Sequence, residues 1–271
     1  TINVGTAAGT FGNFLGFTGT QTFDNATINL GSAANSQAQV SLDANGTFTL
    51  GSAGVIQGRG IFGAVAFDSS GNQNVINQGT VRANIAGAIL TVNNNGTFAN
   101  QGVLEATNGA TLTLATGGVL TNSGTIRVGS ASSTVNLSGT LSTAGLGVFD
   151  NVAAGNLNLT GVLNNAVNTL AFSAATGSMQ LRGGSVSGGT IQQSGVNTLV
   201  FTSSAGTLSN VTFRGTMNVG DAVNVSGRVR ISGGLIVQTE AGALPGTINV
   251  GTAAGTFGNF LGFTGTQTFD N

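Results

Sequence analysis

Between Gln78 and Gly145 three consecutive segments, QGTVRANIAGAILTVNNNGTFAN, QGVLEATNGATLTLATGGVLTN and SGTIRVGSASSTVNLSGTLSTAG, fall into one register. Corresponding residues return about every 22 positions, and such a period marks a repeat architecture. Each segment holds three short stretches in which apolar and small polar residues alternate, the pattern of a strand with one buried face. The first strand directs Val81, Leu104 and Ile126 inward, the second Leu90, Leu112 and Val135, the third Phe98, Leu120 and Leu141. Asn95-Gly96, Asn108-Gly109 and Gly117-Gly118 fall between strands, where corners need positive φ. Three strands per unit cannot cover their own apolar faces, so successive units must stack. The pattern predicts an all-β fold: a three-sided parallel β-solenoid, right-handed by the default of parallel crossovers. Roughly 12 coils at ~4.8 Å each would give a rod of about 60 Å. A sandwich or up-and-down sheet would pair its strands as hairpins and show no such register.

Charge placement points the same way. Arg82, Glu105 and Arg127 occupy one position in three successive units. Parallel stacking sets such residues about 4.8 Å apart, where alternating signs attract and like signs repel. The same column logic accounts for a chain with only 6% charged residues, against roughly 25% in ordinary domains. Alternating stretches recur at Thr1–Val4, Thr27–Leu30, Thr47–Leu50, Asn156–Leu159, Ser178–Leu181 and Arg228–Ile231. Between them, Gly5–Gly19 and Gly51–Phe67 read as longer loops or wider coils. Phe23-Asp24-Asn25, Phe149-Asp150-Asn151 and the partial Phe67-Asp68 read as corners, Phe packing inward and Asp or Asn capping the turn.

Thr1–Asn25 returns letter for letter as Thr247–Asn271. Residues 1–271 are therefore expected to form one continuous solenoid, with 1–246 a full period and 247–271 the start of the next copy. Separate subunits have no need to carry one coil twice, so the expected continuation is covalent, within a longer tandem array. The expected partners are further copies of the same unit, in tandem or head to tail.

Little chemistry is available. The chain has no Cys, His, Trp or Tyr, and its seven basic residues are all arginines. Common nucleophile–base pairs, soft-metal ligands and the P-loop lysine are therefore missing. No metal, cofactor or catalytic residue is expected. The acids Asp24, Asp43, Asp68, Glu105, Asp150, Asp221, Glu240 and Asp270 are spread along the chain, not gathered as in polysaccharide-cleaving β-helices. Thr20-Gln21-Thr22, Thr47-Phe48-Thr49 and Thr111-Leu112-Thr113 are too irregularly spaced for the flat Thr-x-Thr face of an ice-binding solenoid. A net charge of −1 and scattered arginines give no footprint for nucleic acid. No apolar run reaches the roughly 18–20 residues of a membrane-spanning helix.

The phrases NQGTVRAN, NQGVLEATNGATLTL and TNSGTIRV, and LSNVTFRGTMNVGDAVNVSGRVRISGG from Leu208 to Gly234, resemble repeats of secreted bacterial β-helices. The group is the filamentous-haemagglutinin-like adhesins and autotransporter passenger stalks. The resemblance covers most of the chain and brings no active-site motif. It implies an extracellular or cell-surface location. The expected function is that of a structural repeat unit in a fibre, stalk or sheath, without catalysis. The alternatives are the shaft of a large adhesin and, further off, a carbohydrate-active β-helix.

Overall fold

Alternating sequence becomes stacked strand throughout. The computed structural model describes residues 1–7, 12–34, 38–151, 153–220, 226–251, 257–266 and 269–270, without the side chains of 144–146 and 269–270. No helix occurs among them, and every strand pairing is parallel. The strands build a parallel β-solenoid of about ten turns. They fall into two compact units, Thr1–Thr140 with Gly145–Asn156, and Leu141–Ala144 with Leu157–Asn271.

The first unit has three faces. One stacks Ile2–Val4, Thr27–Leu30, Val55–Gly58, Thr80–Ala83 and Val103–Ala106, then the second half of Val119–Val128. The next stacks Asn13–Thr18, Ala38–Asp43, Gly60–Phe62, Ile89–Val92, Thr111–Leu114 and Thr134–Leu137. The last stacks Gln21–Phe23, Gly46–Leu50, Gln73–Asn77 and Phe98–Asn100, then the first half of Val119–Val128. Val119–Val128 runs through a corner without a break and serves two faces.

In-register pairing puts like on like inside. Val81 faces Leu104 and Leu104 faces Ile126. Leu90 faces Leu112, which faces Val135, and Phe98 faces Leu120. All of these, and Leu141, are buried. Each such side chain contributes about 1.5–3 kcal/mol relative to exposure, so the interior columns carry the fold. Rings add a second line: Phe17 to Phe48 at 4.8 Å, Phe48 to Phe62 at 5.7 Å and Phe62 to Phe98 at 6.3 Å, separations that favour aromatic pairing.

The second unit repeats the scheme. Leu163, Val186, Leu208 and Ile231 form one buried column, and Leu170, Ile191, Phe213 and Val237 another. A bulge interrupts the pairing of Thr207–Arg214 with Arg228–Gln238, where Asn210 alone spans the place of Gly233-Gly234.

The turn count is lower than the roughly 12 expected. Steps of 22 and 23 residues hold in the well-aligned region and again in the second unit, from Leu163 to Val186, Leu208 and Ile231. Elsewhere the same outward position recurs after 26 and 28 residues, and after 31 between Asn218 and Asn249. Longer stretches between strands widen such coils, as residues 239–246 do before Thr247–Val250. One loop, residues 63–72, also corrects an expectation: Phe67 does not pack inward but is 80% exposed, its ring edge-on to Phe14 at 6.1 Å.

Candidate functional site: stacked polar columns and open strand edges

A solenoid turns each outward position into a column, and the column beside Val81, Leu104 and Ile126 is continuous through the first unit. Asn29 Nδ2 donates to Asn3 Oδ1 at 2.8 Å, and Gln57 Nε2 to Asn29 Oδ1 at 3.0 Å. Arg82 reaches down to Gln57 Oε1 at 3.4 Å and up to Glu105 Oε1. Arg127 lies 3.6 Å from Glu105 Oε2 and donates to Asp150 Oδ2 at 2.7 Å. Asp150 thus closes the ladder as a fourth charge. The hydrogen bond from the Arg127 side chain to Asp150 raises the guanidinium above its ordinary pKa, so the cation persists at every working pH.

The Glu105 side chain is only 6% exposed, beneath arginines that are 38% and 43% exposed. Its burial without partners would be costly, while exposed pairs contribute about 0–1 kcal/mol. Glu105→Ala is expected to destabilise the chain by about 2 kcal/mol, between the exposed and buried limits. A double-mutant cycle with Arg82→Ala in urea should assign most of that loss to the pair.

Asp150 and Asp24 share the tripeptide Phe-Asp-Asn but not its geometry. Asp24 Oδ1 accepts from the backbone N–H groups of Asn25 at 2.8 Å and Ala53 at 2.9 Å, so it caps a corner. Asp150 points outward to Arg127, and Asn151 does the capping, its Oδ1 accepting from Gly155 N at 2.9 Å.

The most heavily bonded carboxylate is Asp43. Its Oδ1 accepts from the backbone N–H groups of Ala66, Phe67 and Asp68 at 3.0, 2.8 and 3.0 Å. These bonds pin residues 66–68 outside the stack, which is why Phe67 is turned to solvent. Burial alone would raise the Asp43 pKa. The N–H groups of Phe67, Asp68 and Ala66, with the Ser41 hydroxyl, outweigh it and hold the carboxyl below its usual range. A depressed folded-state pKa means the native state binds fewer protons than the unfolded chain. The stabilisation is present above the unfolded value of about 3.9 and is lost as pH falls through the folded value. Asp43→Asn is therefore expected to be less stable than wild type by about 1–2 kcal/mol at neutral pH. That gap should close as thermal melts are taken to lower pH through the acid range.

A second column is hidden in the corners. Asn77 Nδ2 donates to Asn100 Oδ1 at 2.7 Å, and Asn100 Nδ2 to Asn122 Oδ1 at 2.6 Å. The three residues are 0%, 1% and 1% exposed. The same amides reach backbone carbonyls of Val103 at 3.2 Å and Thr125 at 3.3 Å. A ladder of this kind ends with one orphan of each kind, and Asn77 Oδ1 and Asn122 Nδ2 have no partner among the described residues.

Open strand edges are the other feature. Ile2–Val4 pairs with Thr27–Leu30 on one side only, and Asn13–Thr18 and Gln21–Phe23 likewise have one neighbour each among the described residues. The identical second copy forms Thr247–Val250, Phe260–Thr264 and Phe269–Asp270, each paired among the described residues with a preceding strand. The two copies share a strand pattern but not a sheet: Asn13–Thr18 pairs with Ala38–Asp43, whereas its twin Phe260–Thr264 pairs with Arg228–Ser232.

No group of three His, Cys, Asp or Glu residues among the described residues could hold a metal ion. Asp221 and the side chain of Asp270 lie outside the described residues. Among the described residues no helix is long and apolar enough to cross a membrane. No family model matches the chain, and neither a curated protein nor a solved structure matches it.

Proposed function

We propose that the chain is a structural repeat unit of an extracellular bacterial fibre, stalk or sheath, built from tandem β-solenoid copies and without catalysis. The observation that carries this reading is the repeated segment. Thr247–Val250 sits on Thr216–Val219 in full register, Ile248 over Met217 and Asn249 over Asn218. Its twin Ile2–Val4 lies in full register beneath Ile28–Leu30. Each copy supplies the half of the joint that the other lacks, so one period can follow another with no new type of contact. Columns of hydrogen-bonded amides and paired charges suit a load-bearing element, since they fix register without needing a ligand.

The extracellular assignment rests on the likeness of the repeats to secreted bacterial β-helices. The shaft of an adhesin is the second reading, favoured by the same likeness. The native polypeptide separates the two from a single-copy protein: its intact mass should correspond to many periods, and antibody to this segment should label unpermeabilised cells. A mass near one period would overturn the tandem array. A few copies ending in a divergent, ligand-binding cap would favour the adhesin.

A further inference from the structure

We propose that residues 64–68 form a strap that opens as a unit in acid, with Asp43 as its latch, while the solenoid beneath stays folded. The strap covers the outward row of Ala38–Asp43. Gln39, Ser41 and Asp43 alternate there with the inward Val40 and Leu42, yet they are only 9%, 0% and 4% exposed. Gln39 holds one end, its Nε2 donating to the carbonyls of Ala64 at 2.8 Å and Val65 at 3.3 Å. Asp43 holds the other, a single oxygen accepting from the N–H groups of Ala66, Phe67 and Asp68. Backbone bonds from Leu42 N to Ala64 O at 3.3 Å and from Ala44 N to Asp68 O at 3.0 Å complete the attachment.

What lies beneath the strap decides how it opens. The covered row is polar, and the strap's own residues already meet solvent: Ala64, Val65 and Ala66 in part, Phe67 almost wholly. Lifting it uncovers little apolar surface beyond the edge contact of Phe67 with Phe14, and water replaces the hydrogen bonds it gives up. The inward columns, Val40 with Phe62 among them, are not part of it. A segment with few buried apolar contacts opens at a free energy far below that of global unfolding. Hydrogen bonds to a carboxylate are roughly twice as strong as neutral ones, so protonating Asp43 weakens three of the attachments at once.

Among the described residues, Asp68 is the other titratable group that faces Asp43, and no arginine pairs with either acid. Asp68 Oδ1 accepts from Ser70 N at 2.8 Å, a bond within its own turn that opening leaves in place. The repulsion between the two carboxylates is relieved in acid and so favours closure there. It does not decide the sign, because the Asp43 carboxyl is held below its usual range despite it. Opening returns Asp43 to an ordinary carboxyl. The closed strap therefore has its full advantage above the ordinary value of about 3.9, and loses up to about tenfold per pH unit as pH falls towards the closed-state value.

Hydrogen exchange of the full chain, followed by mass spectrometry from neutral pH into the acid range and corrected for intrinsic rates, tests this. In wild type the amides of Ala66, Phe67 and Asp68 are expected to lose protection by up to about tenfold per pH unit below about pH 4. Thr27–Leu30 and Ile89–Val92 should keep theirs, with the β-sheet circular dichroism unchanged. Asp43→Asn should lower strap protection about tenfold at neutral pH and make it insensitive to pH. Gln39→Ala should lower it at every pH and leave the pH slope as in wild type, since it removes the clamp that does not titrate. Strap protection that ignores pH in wild type, or that is lost only together with Thr27–Leu30 and Ile89–Val92, would overturn the latch. So would a folded Asp43→Asn chain whose strap keeps the wild-type pH dependence. The wild-type titration decides the matter by itself should either variant lose its sheet signal.

Discussion

Asn100→Ala is expected to lower the unfolding free energy by about 3 kcal/mol, more than any single apolar methyl deletion nearby. The side chain is 1% exposed and stands in the middle of the amide ladder. Truncation leaves Asn122 Oδ1 without its donor and takes from Asn77 Nδ2 its shortest bond. Each unsatisfied buried group costs about 1–3 kcal/mol. Asn100→Asp should be no better, since it sets a buried carboxylate against Asn122 Oδ1. The telling comparison is the triple replacement of Asn77, Asn100 and Asn122 by leucine, which continues the column begun by Leu50. It removes donors and acceptors together and should cost less than Asn100→Ala alone. Urea midpoints of the full chain give the ranking, and a triple variant weaker than the single would refute the ladder's role.

Gly102→Ala is the second large effect, two residues further on. A Cβ there would stand 2.1 Å from the carbonyl oxygen of Gly79 and 2.6 Å from Gln78 C, both backbone atoms. Gly124 meets Gly102 O at the same 2.1 Å, so the glycines form a column in which each coil's corner rests on the one below. Flexible side chains could yield, but stacked backbone cannot without parting the coils. The expected cost is about 3 kcal/mol, the upper end for overpacking. Gly87→Ala is the control: its φ is +67°, yet nothing lies within 4 Å, so only the backbone term of about 1 kcal/mol applies. Hydrogen exchange should show lost protection in Val103–Ala106 for Gly102→Ala and not for Gly87→Ala.

These two residues show where sequence stops being legible. The three faces could be read because interior positions repeat like for like, as in Val81, Leu104 and Ile126. The alternation of Arg82, Glu105 and Arg127 could be read because in-register stacking makes equal spacing mean adjacency. Asn77, Asn100 and Asn122 stand at equally spaced positions, yet Asn followed by a residue and then Gly also spells an ordinary exposed turn. Pattern does not say that the amide faces inward. Asp150 was obscured in the same way, since Phe-Asp-Asn serves Asp24 as a corner cap and Asp150 as an outward salt-bridge partner. Coil number escaped for a different reason. Residues looped out of the stack, such as 63–72, lengthen a coil without adding one, and only strand pairing separates the two.

The most direct test of the central claim is diffraction or cryo-electron microscopy of the proposed fibre. A tandem β-solenoid predicts an axial rise of ~4.8 Å per coil. It also predicts a longer repeat of roughly 45–50 Å, since one period holds about ten turns. That is slightly shorter than the 22-residue spacing alone would suggest. A fibre with no spacing near 4.8 Å along its axis, or with that spacing but no repeat in this range, would contradict the account.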